Sequence, residues 1–279
     1  MKRAVLGGVL FLATFSCGLS AQQETGTEAK CQIIPTTPFS RSIHARYSGT
    51  GQRSLQMGSR SVLSQNWGGY AAFTSPTLPQ FGSVSGVRGE WRVPSVRPST
   101  QDSYSATWVG IDGYSNDTVE QIGTMQGWFG GQANYYAWFS MYPGPSYELA
   151  GFPVHPKDYI RAEVNYVGGD VYELVIRNLT QNVYYVIPSS YTTVPGTQRA
   201  SAEWIVEAPS DTTILPLAHF SPTPFFHCVA TINKKSGRID SHRWKNRRII
   251  MVTEGKTVKA KPSTLSGSGK HFTVKWHHQ

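Results

Sequence analysis

From Thr107 to Pro143 the chain alternates at period two through long stretches, and this alternation restricts the fold more than any other feature. Tyr136, Trp138, Ser140 and Tyr142 share one parity, while Tyr135, Ala137, Phe139 and Met141 share the other. The preceding stretch repeats the arrangement, with Ala106, Trp108, Gly110 and Asp112 on one side and Thr107, Val109 and Ile111 on the opposite side. Each strand so predicted has an apolar core side and a face of aromatics with polar tips. Between them lies Val119-Glu120-Gln121-Ile122-Gly123. Gln121 reads either as a functional amide on the aromatic face or as an ordinary exposed strand residue.

The rest of the chain keeps to short strands and turns. Val84 to Val93, Asn182 to Ile187, Ala200 to Glu207, His219 to Ile232, Arg247 to Val252, Lys256 to Ala260 and Lys270 to Trp276 all read as strands. Ile160 to Val167 and Val171 to Ile176 flank Gly168-Gly169, which suits a tight hairpin. Helical periodicity of useful length and βαβ units are missing, so an all-β fold with antiparallel sheets is expected. An aromatic share of 12% and a charged share of 15% suit an exported β protein better than a disordered one. The net charge of +9 is uneven: from Lys234 onward twelve Lys or Arg face two acids, leaving the earlier part near neutral. A basic end can meet nucleic acid, but these residues sit on predicted strands and read as a solvated face.

Residues 1–21 have the three parts of a secretory signal: Lys2 and Arg3, an apolar run from Ala4 to Phe15, and small residues ending at Ser20 or Ala21. The run is short for a bilayer span, which favours export over anchoring, and Thr14-Phe15-Ser16-Cys17 matches a lipid-attachment box poorly. Residues 22–63 are polar and read as linker or propeptide, with Arg41, Arg53 and Arg60 as processing points. One domain is expected over residues 64–279. Beyond the signal only Cys31 and Cys228 remain, and pairing or two free thiols are equally compatible with their positions. Asn116-Asp117-Thr118 and Asn178-Leu179-Thr180 are glycosylation sequons by pattern. HExxH, G-x-S-x-G, Walker and zinc-ligand spacings are absent, and the histidines are scattered, so no metal or cofactor is assigned.

Ala202-Glu203-Trp204-Ile205-Val206-Glu207 places Trp204 and Val206 toward the core and Ser201, Glu203, Ile205 and Glu207 on the other face. The two carboxylates then lie about 13 Å apart along the strand. On an aromatic-lined face such an acid loses hydration, its pKa rises, and it can serve as acid or base. A pair of solvated strand-face acids fits the same spacing.

Asn66-Trp67-Gly68-Gly69, Trp108-Val109-Gly110-Ile111-Asp112-Gly113, Gln121-Ile122-Gly123, Tyr136-Ala137-Trp138 with Tyr142-Pro143, the Ala202 to Glu207 segment and Phe220-Ser221-Pro222 together resemble the glutamic peptidases, or eqolisins, over roughly residues 64–277. The resemblance implies a concanavalin-like sandwich of two curved antiparallel sheets. It further implies a secreted, pepstatin-insensitive acid endopeptidase that acts as a monomer on polypeptides, with no nucleic acid or membrane partner. It assigns catalysis to Gln121 and Glu207, and a substrate cleft to Trp108, Asp112, Trp138, Ser140 and Tyr142. Ser140 and Met125 stand where relatives often carry acids. Losing those charges is expected to let Glu207 titrate lower. A carbohydrate- or peptide-binding module is the alternative, and a glycosidase pairing Glu207 with Asp112 or Glu203 a third reading.

Overall fold

Alternating side chains that bury one parity need a partner layer, and the computed structural model shows how they obtain it. It describes residues 26–36 and 61–279. The expected signal segment, Cys17, the arginine processing points and most of the expected linker lie outside the described residues.

The strands are, in chain order, β1 (Thr27–Glu28), β2 (Gln32–Pro35), β3 (Ser61–Ser64), β4 (Trp67–Phe73), β5 (Val84–Arg92), β6 (Ser103–Ile111), β7 (Val119–Phe129), β8 (Gln132–Tyr142) and β9 (Ser146–Ala150). They continue with β10 (Tyr159–Gly168), β11 (Val171–Asn178), β12 (Val183–Val186), β13 (Ser201–Glu207), β14 (Thr223–Ile232), β15 (Lys235–Arg238), β16 (Lys245–Val252), β17 (Val258–Pro262) and β18 (Phe272–Trp276). The one helical turn among the described residues is 3-10, at Ser189–Tyr191.

All eighteen strands belong to one continuous hydrogen-bonded sheet. Within it one run follows β3–β16–β4–β13–β6–β7–β8–β9–β2, and another follows β1–β12–β11–β10–β5–β14. β17 and β18 join β16 of the first run to β14 of the second. The two runs are thus hydrogen-bonded to each other through β17 and β18 along one edge. The sheet is also mixed: β1 runs parallel to β12, and β3 parallel to β16. Antiparallel pairing holds elsewhere. The Gly168-Gly169 hairpin forms as expected, with both glycines and Asp170 at positive φ.

The parity reading holds in detail. Val109, Ile111, Ile122, Ala137, Phe139, Met141, Trp204 and Val206 enter the main core. Trp108, Met125, Trp138 and Ile205 enter a second apolar cluster on the other face with Trp67. Thr107, although polar, lies on the core side, where its hydroxyl accepts a hydrogen bond from Gln126 Nε2 at 3.0 Å. Cys31 and Cys228 are both free thiols, the latter fully buried. The sequon Asn178 is also fully buried, donating to Asp158 at 2.6 Å and to the Pro153 carbonyl at 3.0 Å.

Candidate active site

Four neighbouring strands build the site, and their register arranges it in three rungs. Glu207, Ala106, Met125 and Tyr136 form the first rung; Ile205, Trp108, Gly123 and Trp138 the second; Glu203, Gly110, Gln121 and Ser140 the third. Glycine is required next to Trp108 on two sides. A Cβ on Gly123 would collide with the Thr107 carbonyl oxygen and lie 2.6 Å from the Trp108 Cβ. One on Gly110 would lie 2.9 Å from Trp108 Cζ3 and 3.2 Å from the Gln121 Cβ. The indole thus lies over bare backbone between the first and third rungs.

Glu207 ends β13, is 2% exposed, and is held by neutral donors. Its Oε2 accepts from Trp108 Nε1 at 2.8 Å and its Oε1 from Asn66 Nδ2 at 3.2 Å. The Ser64 hydroxyl donates to Asn66 Oδ1 at 3.1 Å, which turns the Asn66 amide nitrogen toward the carboxylate. Trp67 packs edge-on against Trp108 with ring centres 5.0 Å apart. Burial pushes the Glu207 carboxyl up to about 7, against the opposing pull of the Trp108, Trp67 and Asn66 hydrogen bonds. The expectation of a lower-titrating Glu207 is reversed. Burial outweighs the absence of a negative neighbour at Met125. Together Ala106, Met125, Tyr136, Trp138, Ser146 and Glu207 line an open groove.

Glu203 is not a solvated strand-face acid. It is 0% exposed, and burial, with the nearby Asp112 and Glu120 charges, holds its pKa well above the ordinary range against the pull of the Ser201 hydroxyl. Burial without a cationic partner favours the neutral acid.

Gln121 shares the groove face with Glu207 but stands two rungs away, with β6 between them. On a flat sheet that is about 10 Å sideways and about 13 Å along the strands. The Trp108 indole bridges the interval, its Nε1 on Glu207 and its far edge beside the Gln121 Cβ across Gly110. Of the expected cleft residues, Trp138 lines the groove directly, and its Nε1 has no hydrogen-bond partner among the described residues. Ser140 lies level with Gln121, and Tyr142 one same-face position further along β8. Trp108 is fully buried beneath the groove floor.

Asp112 is set apart from these. β6 stops at Ile111, Asp112 adopts φ +72°, and the alternation that would carry its side chain to the groove ends there. Its carboxylate accepts the backbone N–H groups of Gln198, Arg199 and Ala200 at 3.0, 2.7 and 2.6 Å. It anchors the loop that leads into β13. Asn66 was noted only as part of a motif; its polar side chain directly before the all-buried Trp67–Phe73 strand is the sequence signal of a special role.

The family model described as Peptidase A4 family matches residues 65–276. Scytalidopepsin B of Scytalidium lignicola is 26% identical over 230 residues, covering 79% of this chain and 78% of that protein. Aspergillopepsin-2 of Aspergillus niger is 26% identical over 162 residues, 57% of each. Among solved structures, scytalido-glutamic peptidase with a transition state analog inhibitor superposes with a TM-score of 0.62 at 23% identity, covering 76% of this chain and 98% of that one. The aspergilloglutamic peptidase from Aspergillus niger gives a TM-score of 0.52 at 24% identity, over 63% and 99% of the two chains. With a match running from the strand that carries Trp67 through the last strand of the sheet, the chain belongs to the Peptidase A4 family, the eqolisin glutamic peptidases.

Proposed function

We propose that this protein is a secreted acid endopeptidase in which Glu207 acts first as general base and then as general acid, with Gln121 positioning water and stabilising the oxyanion. The observation that carries the reading is a nearly fully buried carboxyl group, held by two neutral N–H donors, at the wall of an open aromatic groove. A peptide laid along the groove meets Trp138, whose indole N–H suits a backbone carbonyl. Ionised Glu207 takes a proton from a water attacking the scissile carbonyl. The amide of Gln121 donates to the developing oxyanion, a contribution typically worth about 3 to 4 kcal/mol, and neutral Glu207 then protonates the leaving nitrogen. The flat-sheet interval between Gln121 and Glu207 is longer than one water and one carbonyl span, so the role of Gln121 rests on the likeness to the glutamic peptidases, and the Gln121→Ala variant tests it. We read the two strand runs as the curved leaves of a concanavalin-like sandwich that carries this groove, and the protein as a monomer exported to the cell exterior or periplasm. Its partner is a polypeptide, with no nucleic acid or membrane engaged.

The raised Glu207 pKa shapes the pH dependence. In free enzyme the ionised fraction falls about tenfold per pH unit below 7. In the substrate complex the attacking water donates to the carboxylate, favours its ionised form and moves the acid limb down. The kcat limb is therefore expected at lower pH than the kcat/KM limb. Cleavage of denatured casein from pH 3 to 8, with pepstatin present, tests the assignment in wild type, Gln121→Ala and Glu207→Gln. Wild type is expected to cleave, and both variants to lose activity while melting like wild type. Retained activity in Glu207→Gln overturns the mechanism; an inert wild type that binds soluble glycans supports a binding module instead.

A further inference from the structure

Residues 26–36 fall in a stretch whose polar sequence suggests a linker or propeptide, yet they pair with both runs of the sheet. β1 lies against β12, the last strand of one run, with Ala29 N–H donating to the Tyr184 carbonyl at 2.8 Å. β2 then lies against β9, at the end of the other run, through Gln32, Ile33, Ile34 and Pro35. Ala29, Cys31 and Ile33 alternate onto the main core. Gly151, at φ +95°, lets the chain pass, since a Cβ there would sit 2.9 Å from the Lys30 carbonyl oxygen. The opposite edge is joined by β17 and β18, so this short segment closes the edge that would otherwise stay open.

Thr36 lies at the groove. It donates its backbone N–H to the Ser146 carbonyl at 3.0 Å, and it lines the same groove as Glu207 and Pro209. A segment that only awaited removal would not need to contribute core residues, bridge two sheet edges and form part of a substrate wall. We propose that residues 26–36 are a permanent working part of the enzyme, a clasp that closes the sheet and supplies Thr36 as a specificity-determining residue. They stay in place even where the chain is cut between them and β3. The Thr36 role rests on the groove being the peptide-binding cleft; the clasp does not.

Three measurements on the full chain separate these points. After acid activation and gel filtration, intact mass is expected to find a fragment containing residues 26–36 co-eluting with active enzyme; active enzyme lacking it overturns the proposal. Ile33→Asp is expected to lower Tm by about 5 °C, as a charge driven against the core would, and an unchanged Tm overturns the clasp. For Thr36, the readout is binding of an uncleaved peptide to Glu207→Gln, with and without Thr36→Trp, so that it does not depend on catalysis. The added ring is expected to weaken binding about tenfold with Tm unchanged, and in otherwise wild-type enzyme to raise KM while leaving kcat within about twofold. Equal peptide affinity in the two proteins overturns the assignment of Thr36. A wild type that cleaves nothing while the melting result holds would sink the catalytic reading and leave the clasp standing.

Discussion

At the scale of single residues, burial and the donors on Glu207 together set its titration. Trp108 Nε1 and Asn66 Nδ2 favour the carboxylate form, while burial favours the neutral acid. Trp108→Phe removes one donor and keeps most of the ring, so the Glu207 pKa is expected to rise further above 7. The kcat/KM acid limb would then move to higher pH by about one unit, with a matching loss of roughly tenfold at a fixed acid pH. A pH profile of kcat/KM for the variant checks this; a limb that stays put means that the indole N–H does not govern Glu207. The sequence disclosed the parity of Glu207 and Trp108 but not their desolvation. Glu207 is buried among partners from other parts of the chain, Trp108 on β6 and Asn66 just before β4, and such neighbours are invisible along the chain. Asp112 was misleading for a local reason: one left-handed residue ends the alternation and redirects the carboxylate to three loop amides.

At the scale of elements, the long alternating strands were legible, as were the short β12, β17 and β18, whereas β1, β2, β3 and the parallel pairings were not. β6, β7 and β8 carry nine to eleven residues each, enough for parity to show. β2 has four residues and β1 two, and three small or medium apolar side chains at Ala29, Cys31 and Ile33 do not stand out within a polar stretch. The parallel pairing of β3 with β16 joins segments almost 190 residues apart, and nothing local encodes it. The β6–β7 pair makes a sharper demand. Gly123→Ala puts a methyl against the Thr107 carbonyl oxygen and the Trp108 Cβ, both fixed by the ladder. The strands must separate or the indole must move, at a cost of about 1 to 3 kcal/mol. Thermal melting is expected to fall by several degrees, about 2 to 4 °C per kcal/mol for a chain of this size. Activity should fall more steeply than stability explains, because the displaced ring holds Glu207. A variant with wild-type Tm and kcat would show that the backbone there yields freely.

At the scale of the whole molecule, the buried carboxyl groups make folding depend on pH in one direction. Asp112, Glu120, Glu203 and Glu207 are all buried, and burial raises each pKa; the Arg199 charge opposes this at Glu120, and three amides oppose it at Asp112. A group that binds its proton more tightly when folded stabilises the fold below its unfolded pKa and loses that contribution as pH rises through the folded value. For Glu207 the window runs from about 4.5 to about 7, and the shift corresponds to roughly 3 kcal/mol. Glu90 acts in the opposite sense. Its hydrogen bonds and ion pair with Arg161, and its contact with His227, outweigh burial and hold its pKa below the ordinary range, so its contribution disappears at more acid pH. Tm is therefore expected to climb by about 10 °C between pH 8 and pH 4.5, then to decline toward pH 2. Glu203→Gln, which keeps the size and neutrality of the buried acid, should flatten the climb by raising Tm mainly at neutral and alkaline pH. Melting curves of both proteins across this range decide the matter. A wild-type Tm that peaks at pH 8, or a variant with an unchanged slope, would mean that the acids under the groove are ionised in the folded protein and that their charge is met by groups outside the packing described for them.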